Sequence, residues 1–145
     1  MDFTSKGETE VTSDAKSRRE RGLEIYKEMG WGENPAVKEL DQDLWAFTTD
    51  VLFGEMWSRP GLSLRERELV TLATLVAAKA DGIALHMRNA HNLGITHEEM
   101  KEVIMQCVVY LGMPKALFAM RKLKAIMAEK NDQTTQPDYP QRADG

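Results

Sequence analysis

The chain has 145 residues, of which 42% are hydrophobic and 29% charged, as expected for one globular domain. Its formal net charge of −4 gives no electrostatic case for binding nucleic acid. A single cysteine, Cys107, excludes an intrachain disulfide and is compatible with a reducing compartment. The polar first residues are unlike a signal peptide, and the longest apolar run, residues 69–78, is too short to cross a bilayer. We therefore expect a cytoplasmic protein with no nucleic-acid partner and no membrane partner.

The pattern of apolar residues predicts an all-α protein with a single domain. No segment alternates apolar and polar residues for long enough to predict a strand, whereas apolar residues recur at helical spacing along most of the chain. The polar segments at residues 1–13 and 131–145 have little to bury, so we expect them to be disordered tails. Residues 14–130 then form a domain of six to seven helices.

Two helical regions are predicted in the first half of the domain. The first runs from Ser13 to Met29 and ends at glycines, which favour helix C-termini. The second follows Pro35 and is broken near Gly54 and again at Pro60. Its apolar residues recur at helical spacing, namely Val37, Leu40, Leu44, Phe47, Val51 and Leu52.

Stronger local signals mark the helices of the second half. Ser63 and Thr96 are each followed by a glutamate at the third helical position, which is the capping-box pattern that begins a helix. The helix after Ser63 carries apolar residues on all sides, which predicts a central helix that is buried all round. A short helix should end near Gly94, and a last helix should run from Pro114 to about Ala128.

His86 is the first candidate for a catalytic residue. It shares the inward stripe of its short helix with Ile83, Ala90 and Leu93. An imidazole in this position is either a core histidine bonded to a backbone carbonyl or a general acid and base, because imidazole titrates nearest neutral pH. His91 is turned away from it, so the two cannot form the paired histidines of a helical metal site. With one cysteine and no paired ligands, we expect no metal.

Glu68 is the second candidate, since it begins the apolar run of the predicted central helix. A carboxylate that enters a buried helix needs a partner or a proton. The alternative is a glutamate that the helix dipole favours in the first turn. Four arginines cluster at the same helix ends, and two that converge would grip a carboxylate: Arg59, Arg65, Arg67 and Arg88. Four apolar side chains either pack in the core or wall a pocket: Phe53, Met56, Trp57 and Met87.

Four segments resemble the carboxymuconolactone decarboxylase family in their order and spacing. They are residues 53–62 (FGEMWSRPGL), 65–68 (RERE), 85–90 (LHMRNA) and 110–116 (YLGMPKA). The earlier Arg21-Gly22 is similar to the start of the γ-carboxymuconolactone decarboxylase branch. The resemblance covers roughly residues 18–127.

The resemblance implies an all-helical, alkylhydroperoxidase-like fold that assembles into homotrimers or homohexamers. It also implies a site that uses no cofactor, near the helix that carries His86. The alkylhydroperoxidase branch has a Cys-x-x-Cys pair before its histidine, but residues 79–83 contain no cysteine, which excludes thiol-based peroxide reduction. Residues 80–82 (ADG) also replace a Trp-Glu-Glu-like stretch of typical family members, so the pocket and its substrate should differ.

The implied reaction is the decarboxylation of an unsaturated carboxylated lactone, as in the catabolism of aromatic compounds. Loss of CO2 from 4-carboxymuconolactone pushes electrons onto the lactone carbonyl, and the resulting dienolate requires no metal or cofactor. His86 is the candidate acid that protonates carbon, and Glu68 would orient it or keep it protonated. The candidate substrate-binding residues are Arg59, Arg67, Arg88, Trp57 and Met87.

Two other functions stay open from the sequence. The same dienolate would form if His86 removed a proton instead of CO2 leaving, which is allylic isomerisation. The chain would otherwise be a binding protein or structural oligomer in which His86 is merely packed.

Overall fold

The described part of the chain is all helical, as predicted. The computed structural model describes residues 16–32 and 35–133, and the side chains of residues 16–32 and 36–129. These ranges contain no strand and seven α-helices, namely α1 (Arg18–Glu28), α2 (Pro35–Leu40), α3 (Gln42–Phe47), α4 (Leu64–Ala78), α5 (Ile83–Asn89), α6 (His97–Leu111) and α7 (Met113–Gln133). A π-helix, Thr48–Trp57, continues α3, and a 3-10 helix, Ala90–Leu93, continues α5. The predicted tails lie outside the described residues, apart from residues 131–133 at the end of α7.

Side-chain caps set where several helices begin. The predicted capping boxes at Ser63 and Thr96 are confirmed. Each hydroxyl accepts from the backbone N–H of the third helical residue, a glutamate, and the carboxylate of that glutamate accepts from the backbone N–H of the capping residue. A third box begins α1 at Ser17, whose own backbone is extended. The predicted helix start at Ser13 is therefore wrong, although Ser13 itself lies outside the described residues.

The second helical region differs from its prediction in where it breaks. The carboxylate of Asp41 accepts from the N–H of Leu44 and caps α3, so α2 and α3 are separate helices. Gly54 does not break the region, because the π-helix runs through it and ends at Trp57.

The apolar residues at helical spacing in this region are not the fully buried ones. Apart from Gly54, the buried residues are four apart, namely Trp45, Thr49, Phe53 and Trp57. Of the apolar residues predicted at helical spacing, Val37 and Val51 are half-buried, and four are exposed in the single chain: Leu40, Leu44, Phe47 and Leu52. The region is apolar on two sides, and α1 covers only one of them.

Gly22 and Gly54 allow α1 and the π-helix to cross in very close contact. A Cβ at Gly22 would lie 2.0 Å from the carbonyl oxygen of Thr49, and a Cβ at Gly54 would lie 2.0 Å from that of Arg18. Arg21 donates from Nε to the carbonyl of Gly54 over 2.9 Å at the same crossing. No side chain fits at either glycine, so the crossing depends on both of them.

Two hydrophobic clusters form the interior. The larger cluster joins α4, α5, α6 and α7 through residues that include Leu72, Ile83, Ile104 and Leu123. The smaller one joins α1 to the π-helix and contains Ile25, Tyr26, Met29, Phe53 and Trp57. In the single chain α4 is not buried all round as predicted, because Val70 is 57% exposed. None of the described helices is both long enough and apolar enough to span a bilayer.

Candidate active site

Glu68 and His86 form a hydrogen-bonded pair between α4 and α5. Nδ1 of His86 lies 2.9 Å from Oε1 and 3.0 Å from Oε2 of Glu68. The carboxylate is completely buried, and the imidazole is 14% exposed. The turn between the two helices brings the pair together, since Lys79 ends α4 in the left-handed region with a φ of 51° and α5 packs back against α4.

The pair gives the two ring nitrogens different roles. A buried carboxylate needs a donor, and an ionised carboxylate can only accept hydrogen bonds. We therefore assign a proton to Nδ1 of His86, which donates to Glu68. Nε2 is then the nitrogen that can exchange a proton with a bound molecule. This arrangement is suited to proton transfer at a single point.

Trp31 packs against the imidazole and is not among the residues predicted from the sequence. Its ring centroid lies 4.9 Å from that of His86, with the two planes at 84°. The indole belongs to the loop after α1 and stands between Gly30 and Gly32, both of which have positive φ. A large aromatic residue between two glycines is a visible signal in the sequence, but nothing local shows that this loop meets α5.

A row of aromatic rings connects Trp31 to a surface cavity. Ring centroids are 5.6 Å apart between Trp31 and Phe53, and 5.2 Å apart between Phe53 and Trp57. Trp57 is buried and lines a cavity of about 470 Å³ whose wall also contains Arg59. The predicted pocket residue Trp57 therefore lies between the cavity and the rings beside His86.

The guanidinium of Arg67 contacts the backbone of Arg59. Nη2 of Arg67 donates to the carbonyl of Arg59 over 2.9 Å, where the loop before α4 meets the helix. Nε of Arg67 is buried and has no hydrogen-bond partner among the described residues. A buried guanidinium N–H without a partner is a donor that a carboxylate can use.

The other two arginines are paired with carboxylates elsewhere. Arg88 donates from Nε and Nη2 to the two oxygens of Glu129 on α7, each over 2.9 Å. The hydrogen bond holds the pKa of Glu129 below its ordinary value. Arg65 forms an ion pair with Glu99 on α6. Arg88 would have to leave its partner before it could bind a substrate.

The remaining predicted pocket residues differ in burial, and Cys107 lies in the core. Met87 is buried in the larger cluster, whereas Met56 is 45% exposed. Burial raises the pKa of the Cys107 thiol, so it is protonated at neutral pH and a poor nucleophile. Among the described side chains, those of residues 16–32 and 36–129, no three of His, Cys, Asp or Glu lie together as a metal site requires.

Comparison with known proteins identifies the family. A family model described as the carboxymuconolactone decarboxylase family matches residues 42–125, more than half of the chain. The 4-carboxymuconolactone decarboxylase of Acinetobacter baylyi is 35% identical over 121 residues, which cover 79% of this chain and 90% of that protein. The nitrosuccinic acid decarboxylase npaB of Metarhizium robertsii is 30% identical over 143 residues, which cover 90% of this chain and 95% of that protein. The matched region contains the Glu68–His86 pair, and the chain belongs to the carboxymuconolactone decarboxylase family.

Proposed function

We propose that this decarboxylase of the carboxymuconolactone decarboxylase family removes CO2 from an unsaturated carboxylated lactone of the 4-carboxymuconolactone type. The observation that carries the proposal is the buried Glu68–His86 pair, which leaves one imidazole nitrogen for proton transfer. The product would be an enol-lactone of the 3-oxoadipate type. The substrate supplies its own electron acceptor, so the proposed reaction uses no cofactor.

The first step requires the substrate carboxylates to be held while one of them leaves. The C–C bond to the departing carboxylate breaks, CO2 leaves, and the bonding electrons pass through the alkene to the lactone carbonyl oxygen. Arg67, with its unpartnered Nε, and the neighbouring Arg59 are the candidates that hold a remaining carboxylate. A substrate contact with Arg88 stays a prediction, because its guanidinium is bound to Glu129.

The second step protonates carbon. Nε2 of the His86 imidazolium gives its proton to the ring carbon beside the lactone carbonyl, and the dienolate becomes the enol-lactone, which keeps its remaining carboxylate. Glu68 accepts from Nδ1 throughout, so it holds the ring in place and stabilises the imidazolium form. Neutral His86 then regains a proton from solvent before the next turnover.

The names of the two curated decarboxylases support this class of reaction. Each denotes an acid in which a carboxylate can leave and pass its electrons to an acceptor, the lactone carbonyl in one and the nitro group in the other. The shared requirement is a stabilised carbanion that is then protonated. This requirement matches a site with one proton donor.

The test compares His86→Gln with the wild-type chain on 4-carboxymuconolactone, with absorbance and mass spectrometry to follow loss of CO2. We expect the rate to fall by about 10²- to 10⁴-fold, because general acid catalysis contributes that much. His91→Gln is the matched control, since His91 is exposed and its Nδ1 lies 2.9 Å from the backbone carbonyl oxygen of Arg88. It should keep the wild-type rate, and circular dichroism should show unchanged helicity in both variants.

Three results would redirect the proposal. Near-normal turnover in His86→Gln would remove His86 from the mechanism. Incorporation of solvent deuterium into a related acid without loss of mass would identify an allylic isomerase. A wild-type chain that shows neither reaction, and a His86→Gln variant that loses only stability, would point to a structural role.

A further inference from the structure

We propose that Trp31 is a catalytic residue whose indole N–H donates to the lactone carbonyl oxygen as negative charge builds on it. The inference rests on the proposed function, because it assigns the charge-stabilising donor of that same reaction. It concerns a residue that neither the sequence motifs nor the family match includes, since the matched region begins at residue 42.

The first argument is that the indole N–H has no partner. Nε1 of Trp31 is shielded from solvent and makes no hydrogen bond to any described residue. A buried donor of this kind costs free energy in the folded state, and such donors are rare in native proteins. A ligand that supplies an acceptor would remove the cost.

The second argument is the position of the indole beside the proton donor. The ring centroids of Trp31 and His86 are 4.9 Å apart. In the proposed reaction, the carbon that receives the proton is bonded directly to the carbonyl carbon. The oxygen that becomes negative is therefore only two bonds from the carbon that His86 protonates. Two neighbouring rings that each carry a donor can therefore serve these two atoms of one small lactone.

The third argument is that the indole is held in place before any ligand binds. The backbone N–H of Trp31 donates to the carbonyl of Tyr26 over 2.9 Å. Nδ2 of Asn92 donates to the carbonyl of Met29 over 3.0 Å and ties the same loop to the 3-10 helix after α5. Phe53 packs against the indole with a centroid distance of 5.6 Å. A donor that is already fixed needs no reorganisation when charge develops, and such donors lower barriers most effectively.

The test uses Trp31→Phe, which keeps an aromatic ring and removes only the N–H donor and part of the volume. Trp45→Phe is the matched control, because Trp45 is also a buried tryptophan but contacts Arg19 instead of His86. The guanidinium carbon of Arg19 lies 4.3 Å from the centroid of the Trp45 ring. We expect Trp31→Phe to lower kcat by about 100-fold or more with KM little changed, as for loss of one oxyanion donor. Trp45→Phe should keep the wild-type kcat.

A second readout does not depend on turnover. Tetronate is a five-membered lactone that is ionised at neutral pH, and it carries delocalised negative charge on its oxygens. Calorimetry should show that the wild-type chain and Trp45→Phe bind tetronate equally, and that Trp31→Phe binds it at least about 10-fold more weakly.

The outcomes separate this inference from the proposed function. Normal lactone turnover in Trp31→Phe would overturn the role of Trp31 and leave the proposed function intact. Weakened tetronate binding in Trp31→Phe, with no lactone turnover in the wild-type chain, would support the role of Trp31 and overturn the proposed substrate. A wild-type chain that neither binds tetronate nor turns over the lactone would overturn both. If both tryptophan variants lose kcat equally, the effect is general packing and the inference fails.

Discussion

The Glu68 carboxylate is completely buried, so its pairing with His86 is costly to disturb. We expect Glu68→Gln to lower kcat by between about 10- and 10⁴-fold, because an amide can hold the imidazole in the wrong tautomer and cannot stabilise the imidazolium. Steady-state kinetics on the lactone would measure this effect. Glu102→Gln, at an exposed glutamate on α6, is the matched control and should leave kcat unchanged. A Glu68→Gln variant with the wild-type kcat would show that the carboxylate has no part in proton transfer.

A second residue pair makes stability depend on pH. Arg19 donates to both oxygens of Asp50, and this hydrogen bond lowers the pKa of Asp50 below its ordinary value of 3.8. A carboxyl whose pKa is lower in the folded state stabilises the fold above its unfolded pKa, and the effect is lost as pH falls through the folded pKa. We expect Asp50→Asn to reduce the free energy of unfolding by at most about 1 kcal/mol at pH 7, since both side chains are about one-third exposed.

Urea unfolding of Asp50→Asn and of the wild-type chain at several pH values would measure this difference. It should be constant above about pH 5 and should disappear as the pH falls below 3.8. A difference that persists in acid would mean that the substitution acts through packing and not through charge.

Among single residues, part of the candidate site could be predicted from the sequence. His86 was recognisable because a titratable side chain stands on an apolar stripe, and Glu68 because a carboxylate enters an apolar helix. The contact between Trp31 and His86 could not be predicted, because it joins residues 55 positions apart through a loop. Local spacing carries no information about such a contact. The carboxylate partners of Arg65 and Arg88 could not be predicted either. These partners, Glu99 and Glu129, lie on later helices.

Among the elements, the crossing of α1 with the π-helix depends most on single residues. We expect Gly54→Ala to reduce the free energy of unfolding by about 1–3 kcal/mol, because the added Cβ would meet the backbone of Arg18, which cannot move aside like a flexible side chain. Gly61→Ala is the control, since a Cβ there meets nothing within 4 Å. It should change stability by less than about 0.5 kcal/mol.

Chemical denaturation, with the curves of the wild-type chain and both glycine variants fitted to one common m-value, would measure the change in the free energy of unfolding. Because Trp31 follows α1 directly, Gly54→Ala should also lower turnover if it shifts that helix. Equal stability of the two variants would show that the crossing can widen without cost.

Two helix starts were predictable from the sequence, whereas the start of α1 and the buried side of the second helical region were not. Ser63 and Thr96 were sufficient to place α4 and α6, because a capping box is a local interaction. The region from Val37 to Leu52 is apolar on more than one side, so periodicity could not choose its buried face. The buried face is the one that contains Gly54, because Gly22 and Gly54 allow α1 to pack closely against that side.

For the molecule as a whole, the large apolar surfaces of the single chain are the dominant feature. The four most exposed large hydrophobic residues are 61–83% exposed, namely Leu40, Phe47, Val109 and Tyr110. A cavity of about 600 Å³ also opens between α4 and α6, and its wall contains Val70 and Tyr110. Isolated soluble domains rarely expose contiguous apolar patches of this kind. We therefore expect further copies of the chain to cover them, and the family resemblance implies that they do so in a homotrimer or homohexamer.

Sedimentation velocity of the wild-type chain should give a mass of three or six times 16.4 kDa. Tyr110→Glu should shift this mass towards that of the single chain, because it places a charge in an apolar contact that must then be desolvated. Lys124→Gln is the matched control, since it changes the net charge by the same amount at an exposed position of α7 and should leave the assembly intact. A wild-type chain that sediments as a monomer at micromolar concentration would contradict the expectation. The exposed faces of α2, α3, α4 and α6 would then be stable in water without a partner.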